Sequence, residues 1–334
     1  MSGRPGRGPG AAGDGRAPGY TDGMTTDLAV IAFAQNPDPE ARERILTLVR
    51  DTGAEIERFS TVRVTGPGSA GPDAEVPGYN AFTARVHGSE ASALLAALRP
   101  DPLSQLLPGV DVNVVPATLL DPGRRKLLVM DVDSTLIQQE VVEMLAAHAG
   151  PEAEAEVTAV TEAAMRGEVD FAQSLLARVE TLAGLPESAI DEVRAAVRLS
   201  PGAHVLIKAF LREGHAVAAV SGGFLGVLTP LAEQLQLTRH AANLLEVADG
   251  RLTGRVVGDV VDCTAKERFL RTWAAELDVA LEDVIAVGDG ANDIDMVTAA
   301  GLGVAYNAKP ALRAAADAQI NLPNLDAVRF FADL

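Results

Sequence analysis

Four short segments carry residues whose types and spacing suit the handling of a phosphate group. The first is Asp131-Val132-Asp133-Ser134-Thr135, directly after the apolar run Lys126–Met130. Side chains two apart at a strand end point to the same side, so both carboxylates face one site. An aspartate, with an ordinary pKa of ~3.9, is ionised at pH 7 and can attack phosphorus without a general base. The acyl phosphate formed is an anhydride that water can cleave. Asp133 can protonate the departing alkoxide and then deprotonate the incoming water. Alone, such a pair of aspartates also occurs in solvated turns and calcium loops.

The second segment, Ser221-Gly222-Gly223, follows the apolar run Ala216–Val220 and opens a helical stretch, Phe224–Gln234. A hydroxyl, exposed backbone N–H groups and a helix N-terminus make a phosphate site, although an ordinary strand-to-helix turn uses the same residues. The third is Lys266, in Asp262-Cys263-Thr264-Ala265-Lys266. A lysine at the start of a helix can neutralise a phosphoryl oxygen as a point charge, or can simply be solvated. The fourth is Val287-Gly288-Asp289-Gly290-Ala291-Asn292-Asp293. Hard oxygen donors of this kind are what magnesium prefers, and manganese accepts the same set. Asp131 and Asp289 can ligate the ion while Asn292 and Asp293 orient the shell.

The elements that must present these residues are legible as short apolar runs: Lys126–Met130, Ala216–Val220, Val284–Val287 and Leu302–Ala305. Alternation with helical stretches predicts a parallel sheet covered on both faces, with ligands bound beyond the carboxyl ends of its strands. The stretch from Gln138 to Leu199 is too long for a simple crossover and reads as an inserted helical cap, approximately residues 138–200. Leu244–Val257, with Asp249-Gly250 at its centre, reads as a hairpin.

Upstream, strand-like Asp27–Ala34, Glu55–Val64, Tyr79–Val86 and Val110–Pro116 interleave with helical Pro39–Thr52 and Ser89–Leu98. The order β-α-β-β-α-β predicts a small ferredoxin-like α+β domain over residues 25–120. A Gly/Pro-rich loop, Gly66–Pro77, lies within it, and Asp121-Pro122-Gly123 marks the linker to the α/β part, residues 121–334. Residues 1–24 are rich in Gly, Pro and Arg, which predicts a disordered tail; Met24 is a second candidate for the translation start.

The net charge of −18 at pH 7 excludes nucleic acid and anionic membranes as expected partners. It also repels phosphorylated metabolites, so an anionic substrate needs a local cluster of cations. No apolar run reaches the ~18 residues of a membrane span. The single cysteine, Cys263, excludes an intrachain disulfide and fits a reducing cytoplasm.

The four segments, in this order and three of them at strand ends, resemble the motifs of the haloacid-dehalogenase-like phosphatases. The resemblance covers Lys126 to Leu334 and implies a Rossmann-like core with an inserted helical cap. Asp131 to Glu140 (DVDSTLIQQE) further resembles the nucleophile segment of phosphoserine phosphatases, and Met165 to Val179 (MRGEVDFAQSLLARV) their cap segment. That likeness implies Asp131 as nucleophile, Asp133 as general acid and base, and Lys266 as a catalytic cation. It implies Mg2+ on Asp131, Asp289 and the Asp133 backbone carbonyl, with Asp293 supporting them. It implies substrate contacts from Glu140 to the ammonium, Arg178 to the carboxylate, and Ser221, Gly222 and Asn292 around the phosphate, with Met165 and Phe171 excluding water. Free phosphoserine has an ammonium, a carboxylate and a phosphate, and Arg178 can grip a carboxylate with two parallel hydrogen bonds where lysine cannot.

The small domain resembles ACT-type amino-acid-sensing domains, for which a structural or dimerising role and amino-acid sensing are both open. A homodimer through it is compatible with this reading. The same motifs also suit a phosphatase for another small phosphomonoester, phosphotransfer to an alcohol, or a sensor that has lost catalysis.

Overall fold

The computed structural model describes residues 27–36, 38, 40–65, 78–165 and 170–334, with side chains of 162–165 and 171 left aside. The expected tail over residues 1–24 and the loop Gly66–Pro77 therefore lie outside the described residues. The chain begins with β1 (Leu28–Ala34), α1 (Ala41–Asp51), β2 (Glu55–Val64), β3 (Tyr79–His87), α2 (Ala91–Leu98) and β4 (Asp111–Pro116). These strands form one sheet in the order β2-β3-β1-β4, with antiparallel neighbours.

Every residue of β1 is buried, because both faces of the strand are covered. Leu28, Val30 and Ala32 share a core with Ile45, Leu46 and Val49 of α1 and with Leu94 and Leu98 of α2. Ala29, Ile31 and Phe33 belong instead to the core of the α/β part. The Phe33 ring stands 5.9 Å from that of Phe330 and 5.6 Å from that of Phe331.

The rest of the chain is built on β5 (Leu127–Met130), followed by α3 (Val141–Ala149), α4 (Pro151–Met165), α5 (Phe171–Glu180) and α6 (Ser188–Ala196). Next come α7 (Ala203–Arg212), β6 (Ala216–Phe224), α8 (Leu225–Leu235) and the hairpin β7 (Arg239–Ala248) with β8 (Arg251–Val257). The chain closes with α9 (Cys263–Glu276), β9 (Val284–Gly288), α10 (Ile294–Ala299), β10 (Leu302–Tyr306), α11 (Pro310–Ala315) and β11 (Ala318–Ile320). The seven strands lie in the order β11-β10-β9-β5-β6-β7-β8. All pairings are parallel except the hairpin. Apolar clusters cover both faces of this sheet. Helices α3 to α6, in the stretch predicted to be a cap, leave and rejoin the sheet through adjacent segments. There Gln138 N–H donates to the Arg198 carbonyl (3.0 Å) and Ser200 N–H to that of Leu136 (2.9 Å).

The helix expected after Ser221-Gly222-Gly223 is α8, which starts at Leu225, one residue beyond the expected Phe224, because the extended strand runs on through that residue. A short strand, β11, unforeseen in the sequence, closes the sheet edge.

That edge is capped by side chains of β4. Asn113 accepts from Gln319 N–H (2.7 Å) and donates to the Gln319 carbonyl (3.0 Å). Asp111 accepts from Asn321 N–H (2.6 Å). An exposed strand edge is a template for unwanted pairing, and here it is occupied within the chain. Nearby, the Tyr79 hydroxyl donates to Asp326 (3.0 Å).

Asp317, just before β11, accepts from Gly303 N–H (2.8 Å) and is pushed up to about 7 by burial. In an unfolded chain its carboxyl ionises near ~4. Between those values the unfolded state releases a proton that the fold retains, so stability falls as pH rises, and the full penalty stands above about 7. Asp317→Asn keeps the acceptor for Gly303. Its stability relative to wild type should be roughly 2 kcal/mol more favourable at pH 8 than at pH 5. Urea melts at both pH values measure this, and a pH-independent difference would refute it.

Candidate active site

The carboxyl ends of β5, β6 and β9 converge on one cavity of about 570 Å³. Asp131 follows β5 with extended backbone, and Asp133 does the same two residues on. Ser134 then takes a left-handed conformation (φ 56°), which turns the chain sharply. The turn lets Ser134 Oγ donate to Glu140 (2.7 Å) and lets Val141 N–H donate to Asp133 Oδ1 (2.8 Å). The second oxygen of Asp133 accepts from the Ser221 hydroxyl at 2.7 Å. Asp133 is thus held at both oxygens.

Lys266 is fully buried on the first turn of α9, whose start is fixed by the Asp262 carboxylate accepting from Ala265 N–H. Its Nζ lies 2.6 Å from Asp131 Oδ1 and 2.6 Å from Asp293 Oδ1. Burial alone would lower the ammonium's pKa, but the two carboxylates outweigh it and hold the lysine charged. The remaining oxygen of Asp293 accepts from the N–H groups of Asp289 and Gly290. A side chain at Gly288 would place its Cβ 2.4 Å from that carboxylate, and one at Gly223 would meet Asp133 at 2.8 Å. Glycine at these two positions makes room for the acids.

Asp131, Asp289 and Asp293 each bring a carboxylate oxygen within 4.8 Å of the others. Burial, and then the charge of Asp293, hold Asp131 well above the usual carboxylate range; burial likewise pushes Asp289 up to about 6. The cations against these acids are Lys266 and, more loosely, Lys309, whose Nζ is 3.9 Å from Asp289. Hard oxygens carrying more negative charge than their neighbours neutralise are suited to a divalent cation. The residues present fit a metal ion, with Asp131 and Asp289 the freer donors because Asp293 is already engaged.

Glu140 and Arg178 line the same cavity, from the turn after β5 and from α5. Burial, and then the charge of Asp133, push Glu140 up to about 7. Burial lowers the Arg178 pKa, and its Nε donates to the Ser174 carbonyl (3.2 Å). Asn292, Gly222 and Gly223 line the cavity as well. The expectations for the side chains of Met165 and Phe171 lie outside the described residues.

Sequence reasoning did not single out Ser134, Glu143, Lys309 or Asn243. Glu143 and Lys309 line the cavity, and Lys309 N–H also donates to the Asp289 carbonyl at 2.8 Å. Lys309 follows the strand end of β10, a position that could have drawn attention to it. Asn243 carried no such signal.

Residues 128–298 match the model of the haloacid dehalogenase-like hydrolases. The chain belongs to that family. A phosphoserine phosphatase of Streptomyces coelicolor is 47% identical over 318 residues, spanning 95% of this chain and 72% of its own length. A phosphoserine phosphatase of Mycobacterium tuberculosis is 56% identical over 206 residues, spanning 62% of this chain and only half of its own length. Among solved structures, a hydrolase of the same family from Salmonella enterica serovar Typhi superposes with a TM-score of 0.74 at 27% identity, covering 92% of this chain and 98% of that one.

Proposed function

We propose that this chain hydrolyses O-phospho-L-serine to L-serine and phosphate, the last step of serine biosynthesis, through a phosphorylated Asp131. The observation that carries this reading is one cavity lined by Asp131, Asp133 and Asp289 together with an anion, Glu140, and a fork-shaped cation, Arg178. Those last two match the ammonium and carboxylate of phosphoserine. The names borne by the relatives above support the same substrate.

In the cycle, Glu140 and Arg178 orient the amino-acid end of the substrate and Asp131 attacks phosphorus. Asp133, held by Val141 and Ser221, gives a proton to the leaving serine oxygen and later takes one from water. Lys266 favours the ionised form of Asp131 and holds it in place, while the Gly222 amide, Asn292 and Lys266 balance charge that develops on phosphoryl oxygens. Ser221, whose hydrogen goes to Asp133, acts through that residue. Asp131, Asp289 and the Asp133 carbonyl would hold Mg2+, with Asp293 fixing them, and the ion would neutralise substrate charge. Together with Lys266 and Arg178 it supplies roughly four positive charges against the acidic surroundings.

The test is phosphate release from L-phosphoserine with magnesium, a chelator control, and Arg178→Lys alongside wild type. Wild-type release abolished by chelator is expected. Arg178→Lys should lose roughly 100-fold in kcat/KM on phosphoserine and under about 3-fold on p-nitrophenyl phosphate, because only the former uses a two-pronged grip. Wild type that cleaves other esters but not phosphoserine would sink the substrate assignment.

The division into a tail (1–24), an ACT-like domain (25–120) and a hydrolase domain (121–334, cap approximately 138–200) is part of the same proposal. The strand order of the first sheet supports the ferredoxin-like topology, and its exposed outer strand β2 leaves an edge for a homodimer. Light scattering that finds only monomer would remove the dimer. Among the described residues no helix is long and apolar enough to cross a membrane. The single cysteine supports a cytoplasmic setting, which fractionation of the native protein would test.

A further inference from the structure

Asn243, on β7, is nearly fully buried and carries no charge of its own. Its amide nitrogen donates to the Gly222 carbonyl at 2.8 Å, and its carbonyl oxygen accepts from Val261 N–H at 2.8 Å. The first bond fixes the plane of the Gly222–Gly223 peptide. With the carbonyl turned toward Asn243, the N–H of Gly223 points the other way and donates to Ser221 Oγ at 2.7 Å. A hydroxyl oxygen that accepts this bond keeps its own hydrogen free, and that hydrogen goes to Asp133 Oδ2 at 2.7 Å. The second bond holds the segment that enters α9, the helix carrying Lys266.

We infer that Asn243 is a positioning residue for the acid–base step, acting through the Gly222–Gly223 peptide and Ser221 on Asp133. This rests on the mechanism proposed above. Without Asn243 the peptide is free to rotate, the Ser221 hydroxyl loses its fixed direction, and one oxygen of Asp133 loses its restraint. Glu140 and Arg178 are untouched, so substrate capture is retained. The cost falls on proton delivery to the leaving oxygen. A serine alkoxide needs that proton; p-nitrophenolate, a far weaker base, leaves without it.

The experiment compares kcat/KM, which reports steps through departure of the leaving group, for phosphoserine and p-nitrophenyl phosphate. Asn243→Ala should lose roughly 10-fold or more on phosphoserine and less than about 3-fold on the aryl ester, the usual scale for a residue that orients a reacting group. In a Ser221→Ala background the same substitution should no longer distinguish the two esters, because the connection to Asp133 is already cut. Should Asn243→Ala fail to fold, Asn243→Ser replaces it; the shorter side chain adds no charge, fills part of the space and no longer reaches the Gly222 carbonyl. Equal losses on both esters, or undiminished discrimination in the Ser221→Ala background, overturn the inference. Wild-type turnover of phosphoserine is the control that separates this from failure of the substrate assignment.

Discussion

Asp131→Asn should lower phosphate release from phosphoserine by about 10⁴-fold or more, with little loss of stability in the absence of metal. The carboxamide has the shape of the carboxylate but no charge with which to attack phosphorus. Its effect on the fold has the opposite sign from its effect on chemistry. Burial and the nearby charges of Asp293, Asp289 and Asp133 hold Asp131 well above the usual range, so in the metal-free protein its anion is disfavoured. Removing that anion relieves crowding and costs one contact with Lys266, which retains Asp293 as partner. A melting temperature in chelator close to or above that of wild type is the expected companion result. Residual turnover within about 10-fold of wild type would mean that another group is the nucleophile.

Lys266→Met should be the most destabilising single change in the site, by about 3–5 kcal/mol at pH 8. It removes the cation in contact with two carboxylates whose side chains are 4% and 0% exposed, leaving both without a contacting cation among the described residues. An uncompensated buried charge is far costlier than the pair it came from. Protonation relieves the strain: the Asp131 carboxyl, already held high, takes up a proton more readily once the lysine is gone. The loss should therefore shrink as pH falls toward 5. Denaturant melts of wild type and variant at the two pH values measure it. A variant within about 1 kcal/mol of wild type at pH 8 would show that Lys266 does not hold the acids together.

Much of this site can be read from sequence because strand ends are local signals. Short apolar runs before Asp131, Ser221 and Asp289 place those residues at one edge of a parallel sheet whatever the details of packing. The same logic gave the strands of the N-terminal sheet, whose Glu55–Val64 strand has the bounds expected for it. What stayed hidden depends on distant parts of the chain. The bond between Asn243 and Gly222 arises only because β7 runs beside β6, and the segment HAANLLEV mixes apolar and polar residues without a site signature. The left-handed turn at Ser134 puts a residue other than glycine where glycine is usual, so no local rule announces it. β11 is three residues long, and its outer edge is satisfied by Asn113, 206 positions away.

The contact between the two sheets sets an order of events during synthesis. Tyr79 finds Asp326 across 247 positions, and the apolar face formed by Ala29, Ile31 and Phe33 is covered by Phe330 and Phe331, near the other end of the chain. At translation rates of about 5–20 residues per second, that face waits roughly 10–50 s for its cover to leave the ribosome. Throughout that interval the nascent N-terminal sheet shows an oily surface to solvent, which makes it a natural client for a chaperone that binds near the exit tunnel.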